Sequence, residues 1–143
     1  MDDAATQTAE STLARLKQAV LSSGFSTLLN AEPLRCWSGE SELVIALGPQ
    51  LTQHHGVVHG AVIGAAADNA CAWAAASVAG DVVTATLTLH LVAPAKGERL
   101  RAKGQVLKNG KRQLTVRADV FVETSTESRL VATALASIAK VEH

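Results

Sequence analysis

The chain has 143 residues, the size of one domain. Its 48% apolar and 18% charged content excludes a disordered chain. Thirteen basic and thirteen acidic residues cancel, so no overall field draws it to nucleic acid or to a membrane surface.

The first ten residues, MDDAATQTAE, are acidic and lack a basic stretch followed by an apolar run. No secretory signal is expected there. Leu13, Leu16, Ala19 and Val20 recur at helical spacing, which predicts a helix over residues 8–22 closed by Gly24. Residues 34–38 and 42–47 read as short strands, the second ending at Gly48-Pro49. A loop, QLTQHHGVVHG, leads into a nearly all-apolar helix over residues 60–78. That segment is about long enough to span a bilayer. It is mostly alanine, however, and carries Asp68 and Asn69 near its middle, which opposes insertion. A buried helix is the expectation.

Beyond Gly80-Asp81 the period changes to two. Thr84, Thr86, Thr88 and His90 alternate with Val83, Ala85, Leu87, Leu89 and Leu91, predicting a strand with one buried face. After the turn at 94–97, Leu100, Ala102, Gly104 and Val106 alternate with Arg99, Arg101, Lys103 and Gln105. Asn109-Gly110 then predicts a hairpin with a type I′ turn. Its partner strand has Leu114, Val116, Ala118, Val120 and Val122 on one face. A polar turn at 123–128 precedes a last strand over 129–141. One long helix against one antiparallel sheet is an α+β layout. A helix apolar on nearly all sides needs cover from more than one direction, which a curling sheet supplies. With two Phe, two Trp and no Tyr, the core is filled by Val, Leu, Ile and Ala. Cys36 and Cys71 have no zinc-like spacing and read as buried free thiols in a reducing, cytoplasmic compartment.

With Asp68 at zero on a helical wheel, Ala61, Gly64, Ala65, Cys71, Ala72 and Ala75 fall within about 60°. Val62, Ile63, Ala66, Ala70, Trp73 and Ser77 take the far side and suit the sheet. The carboxylate thus shares its face with small residues, which lets a second chain or a ligand approach. Asp68 lies too far inside the helix to cap it. A core carboxylate or a dimer contact is the plain alternative to a general base. Directly before the helix stand Gln53, His54, His55, His59 and Gly60. A helix start offers unpaired N–H groups and a positive dipole end, which polarise a carbonyl. No carboxylate or Cys ligand joins these histidines, so metal binding is not expected. His59 also reads as a brace for the loop. Eight of the thirteen basic residues lie between Lys96 and Arg117, opposed only by Glu98. They form either a solvated sheet face or a surface for a phosphorylated ligand.

The run Gln53 to Ala75, QHHGVVHGAVIGAAADNACAWAA, resembles the signature of hotdog-fold acyl-CoA thioesterases of the PaaI-like (phenylacetate-pathway) type. Members carry a Gly-x-x-His-Gly-Gly loop and a helix with a buried Asp seven or eight residues on. The resemblance covers about residues 40–141, including TLHLVAPAKGERL, the Lys108–Arg112 turn and the VATALASI strand. It implies one hotdog domain over 1–143, with residues 1–30 as an N-terminal helical segment. It also implies a homodimer, usually paired into a homotetramer, with active sites at the dimer interface. Asp68 matches the catalytic carboxylate, acting as general base or nucleophile. Gly60 matches the residue whose N–H polarises the thioester carbonyl, and His59 the histidine supporting it. Gln53 stands where Asn or Gln orients water or substrate. Thr84 stands where Ser or Thr reaches in from the other subunit. Lys108, Lys111 and Arg112 are candidates for the CoA phosphates. CoA enters as part of the substrate, with no separate cofactor and no metal; an acyl-carrier-protein thioester is the alternative substrate. The second Gly of the motif is Ala61 here, which a helix start accepts. A hotdog dehydratase or hydratase is disfavoured because neither His-Phe-Pro-Gly nor Asp-x-x-x-x-His occurs. A non-catalytic acyl-CoA-binding protein or a structural dimer remains the contrasting reading.

Overall fold

The computed structural model describes residues 3–142. Its elements run α1 (Asp3–Ser22), α2 (Gly24–Leu29), β1 (Glu32–Trp37), β2 (Glu40–Ala46), α3 (Gly60–Ala79), β3 (Val82–Leu91), β4 (Arg99–Asn109), β5 (Gln113–Glu123) and β6 (Ser128–Lys140). One 3₁₀ turn, Pro49–Leu51, sits in the loop before α3. The six strands form one antiparallel sheet in the order β1-β2-β4-β5-β6-β3. Helix α3 packs against all six. Six strands laid flat span about 24 Å, more than twice a helix diameter. The sheet must therefore curl around the helix, which is the hotdog arrangement.

Strands β4 and β5 alternate as their sequences predict: Leu100, Ala102, Leu114, Val116, Ala118, Val120 and Val122 are buried. Against them α3 sets Ile63, Ala66, Ala67, Ala70, Cys71, Trp73 and Ala74. By length and mean hydropathy of 1.2 this helix qualifies to cross a membrane. Instead, nine of its twenty residues are buried in the sheet's concave face. Alanine lets helix and sheet approach closely. At the tightest point the Ser41 hydroxyl donates to Ala70 O at 2.5 Å and Gly104 lies directly beneath.

Four local expectations need correction. Asn109-Gly110 does not form the type I′ turn: neither residue has positive φ, and the chain reverses at Lys111-Arg112. A bulge at Leu107 has shifted the register. The type I′ turn is instead Ser38-Gly39, with φ of 56° and 80° between the paired Trp37 and Glu40. Residue 38 thus belongs to the turn rather than to β1. In β3 a bulge at Ala85 breaks the alternation, so Thr84 faces inward while Thr86, Thr88 and His90 face out. Leu87 and Leu89 turn inward after it. Cys71 and Ala75 are fully buried against the sheet rather than on the open face of Asp68. Helix α2, which the sequence reading lacks, follows α1 after a break at Ser23. The Ser23 side chain accepts from Ser26 N, and Asn30 closes the helix in the left-handed conformation.

Both cysteines are free and buried. The Cys71 thiol donates weakly to Val116 O, and Cys36 to Trp73 O. Burial, with the negative Asp68 adding to it, pushes the Cys71 thiol up to about 12. Burial also raises Cys36, partly offset by Arg15. Thiolate, the reactive form, is therefore scarce at neutral pH. Titration with a dithiobis-nitrobenzoate reagent should find no reactive thiol in the native protein and two after denaturation. A fast-reacting native thiol would contradict this packing.

Candidate active site

The loop before α3 is held by its own backbone. Thr52 bridges Val58, Gln53 N donates to Val57 O, and Gly56 N donates to Gln53 O. Gly56 takes a φ of 80°, which favours glycine. The Gln53 side-chain oxygen accepts from His55 N, so this end of the amide closes the loop. Its NH₂ end makes no hydrogen bond among the described residues. His59 is the N-cap of α3. Its backbone N–H donates to Leu51 O, and its Nδ1 accepts from Ala61 N at 3.0 Å. That bond requires an unprotonated Nδ1. The brace predicted for His59 is thus a helix cap. The next N–H, that of Gly60, has no protein acceptor among the described residues. It stands at the positive end of a twenty-residue helix.

Two turns on, half-buried Asp68 faces the inner side of β3. Thr84 Oγ1 donates to Asp68 Oδ1 at 2.6 Å. The bulge at Ala85 makes this contact, because it turns Thr84 towards the helix. Thr84 therefore meets the carboxylate of its own chain. Gly60 is the residue displaced from Asp68. Eight residues of helix separate them by about 12 Å. A single carbonyl cannot touch the Gly60 N–H and lie within reach of Asp68 on the same helix. On the other flank, Asn69 Nδ2 donates to Ser26 Oγ at 3.4 Å and ties α2 to α3.

A cavity of about 360 Å³ opens at the helix start. Gln53, Val57, Gly60, Ile63, Leu91 and Pro94 line it, a largely apolar wall with one amide. A larger hollow of about 420 Å³ lies on the outer sheet face, away from this chemistry. Its charges are paired, Arg35 with Glu40 and Arg117 with Asp119, so it offers little net attraction. Lys108, Lys111 and Arg112 are exposed. Lys140 N donates to Arg112 O, which sets this turn beside the end of β6, towards the C-terminal end of α3. Lys140, distant in sequence, joins that basic end through this bond and through its pairing with Val82. The sequence reading spread the basic residues over one surface, but Arg99 and Arg101 are taken up by Glu123, and Arg101 also by Glu42. His54 and His55 are exposed, ring centroids 4.0 Å apart. Among the described residues no three His, Cys, Asp or Glu converge to hold a metal ion.

The family model for the thioesterase superfamily matches residues 55–128, just over half of the chain. No curated protein sequence matches it. Among solved structures, a thioesterase family protein from Silicibacter pomeroyi superposes with a TM-score of 0.85 at 25% identity, covering 90% of this chain and 96% of that one. The Escherichia coli PaaI protein from the phenylacetic acid degradation operon gives 0.82 at 18% identity, covering 92% and 94%. A variant of the PaaI protein from Thermus thermophilus gives 0.75 at 23%, covering 83% and 100%. At these identities the two PaaI structures speak to the fold.

Proposed function

The chain belongs to the thioesterase superfamily, and from that premise we propose that it is a cytoplasmic acyl-CoA thioesterase, its site shared between two copies. The observation that carries this reading is the half-buried Asp68, its Oδ1 held by Thr84 while Oδ2 accepts no bond among the described residues. A carboxylate so held is oriented for one task. Oδ2 takes a proton from water, whose oxygen attacks the thioester carbonyl carbon. The carbonyl oxygen becomes an oxyanion, held by the N–H of a Gly60. The carbon–sulfur bond then breaks, and the proton held by Asp68 goes to the CoA sulfur. Direct attack by Asp68 and hydrolysis of the resulting anhydride gives the same products.

The separation of about 12 Å along α3 requires that Gly60 and Asp68 come from different copies. Strand β3 is an unpaired edge of the sheet. A two-fold axis beside it pairs β3 with its copy and runs the two α3 helices antiparallel. An axis level with Gly64 sets Gly60 of each helix beside Asp68 of the other. Glycine suits that level, since a Cβ there would already touch Leu89. The exposed Val83, Leu91 and Val92 also lie along this edge and become covered. The dimer is then a requirement of the chemistry, and a tetramer is a pairing of such dimers. Gln53 presents its free NH₂ beside the carbonyl, and Lys108, Lys111 and Arg112 meet the CoA phosphates.

The experiment is release of free thiol from a panel of acyl-CoAs and acyl-carrier-protein thioesters. Turnover on at least one acyl-CoA is the expected result. Binding without turnover on every thioester would replace the enzyme with an acyl-CoA-binding protein.

A further inference from the structure

None of the described residues lining the cavity at the start of α3 carries a charge. Gln53 supplies the one polar side chain, and Val57, Ile63, Leu91, Val92 and Pro94 supply an apolar wall. Two of the lining residues hold donors with no acceptor among the described residues: the Gly60 N–H and the Gln53 NH₂. The inner end is shut. Ile63, Val58 and Ala95 are almost fully buried, and Val58 N donates to Ala95 O at 2.9 Å. Lys96, the nearest basic residue in sequence, lines a different hollow that shares only Val58 and Ala95 with this one.

A thioester whose carbonyl oxygen sits on the Gly60 N–H has two arms to place. The CoA arm carries amides and phosphates. Inside this cavity its amides would lose hydrogen bonds and its phosphates would meet no cation. The acyl arm is the one that gains from an apolar wall. The space also bounds that arm. At about 360 Å³ the cavity stands at the small end of the roughly 300–1,000 Å³ usual for small-molecule sites. At about 30 Å³ for each water-sized group, it holds on the order of ten carbons.

We propose that this cavity is the acyl subsite, that it takes uncharged acyl groups of up to on the order of ten carbons and rejects carboxyl-terminated ones, and that Val57 limits their length. This rests on the thioester reading, which sets the carbonyl at Gly60, but its test does not need turnover. Val57 is the position to vary. Its side chain is half-buried in the cavity wall, while its backbone O accepts from Gln53 N, a bond that any residue keeps.

Nonhydrolysable 2-oxoalkyl-CoA thioethers, with tails from methyl to hexadecyl and a matching carboxyl-terminated set, are titrated calorimetrically into wild type and Val57→Phe. Circular dichroism checks the fold of the variant. Wild-type affinity should rise by at most about fourfold per methylene and stop rising at on the order of ten carbons. A terminal carboxylate should weaken binding roughly ten- to a hundredfold against the methyl-ended tail of equal length. In Val57→Phe the limit should move to shorter tails, with the shortest tail bound as in wild type. A rise that continues to hexadecyl, equal binding of the carboxyl-terminated set, or an unchanged limit in Val57→Phe would overturn the proposal. If the binding profile is as expected but no acyl-CoA is hydrolysed, the subsite stands and the thioesterase reading falls.

Discussion

Replacing Asp68 with Asn should lower kcat on the best acyl-CoA by about 10²–10⁴-fold, the range for loss of a positioned general base. Asn keeps the size of the side chain and an Oδ1 that accepts from Thr84, so the hydrogen bond at 2.6 Å survives. What disappears is the oxygen that takes the proton. The loss should therefore fall on kcat more than on KM. Steady-state kinetics, with circular dichroism to check the fold, make the measurement. An unchanged kcat in Asp68→Asn would remove Asp68 from the reaction. A rise in KM with constant kcat would make it a binding residue only.

The largest effect on stability should come from Gly104→Ala. A Cβ at Gly104 would lie 2.2 Å from Ala70 O and 2.6 Å from Ser41 Oγ. Neither can retreat cheaply. Ala70 O belongs to the backbone of α3, and Ser41 Oγ is bonded to it. Helix and sheet must separate, which opens the core on both sides. Overpacking of this kind costs about 1–3 kcal/mol, and a clash with backbone belongs at the upper end or above. A loss of about 3 kcal/mol lowers Tm by on the order of 10 °C in a chain of this size. Thermal and urea unfolding would measure it, and an unchanged midpoint would contradict the close approach at Ala70. Because Asp68 rides on the same helix, the variant should also lose activity at temperatures where it remains folded.

Gly104 illustrates what the sequence can and cannot say. Its place in an alternating strand marks it as inward-facing, like Ala102 and Val106. The reason for glycine is Ala70, thirty-four positions away and visible only once α3 lies on β4. The architecture itself was legible. Strands β4 and β5 bury one face each, so their period of two is clean. Helix α3 is long and nearly all apolar, so its burial was forced. The misread parts are those that a local pattern cannot decide. The alternation from Val83 to Leu91 looks unbroken, yet a bulge at Ala85 reverses it. That reversal brings Thr84 to Asp68 within one chain. Asn109-Gly110 carries the stronger turn signal, but the bulge at Leu107 moves the reversal onward. Ser38-Gly39, a weaker signal, makes the I′ turn. Helix α2 is six residues long, too short to show a period. Its Ser23 cap and the Asn30 stop were the readable signs. Asp68, Gly60, His59 and Gln53 were singled out from motif and spacing; the structure sets Gln53, His59 and Gly60 at the start of α3 and Asp68 two turns along it.

The shared site is tested most directly by mixing two inactive proteins. Gly60→Pro removes the N–H proposed to polarise the carbonyl. Proline is favoured at the first position of a helix, and His59, with φ of −62° and ψ of 135°, already has the conformation that precedes it. A Cβ there meets only the flexible tip of Leu91, at 3.2 Å. Loss of such a donor costs about 10²–10³-fold in kcat. Co-expression of Gly60→Pro with Asp68→Asn makes dimers at random. Half are mixed, and each mixed dimer holds one intact site of two, so about a quarter of wild-type activity should return. If the mixture stays as inactive as either parent while native mass spectrometry shows mixed dimers, Gly60 and Asp68 do not serve one site across two chains.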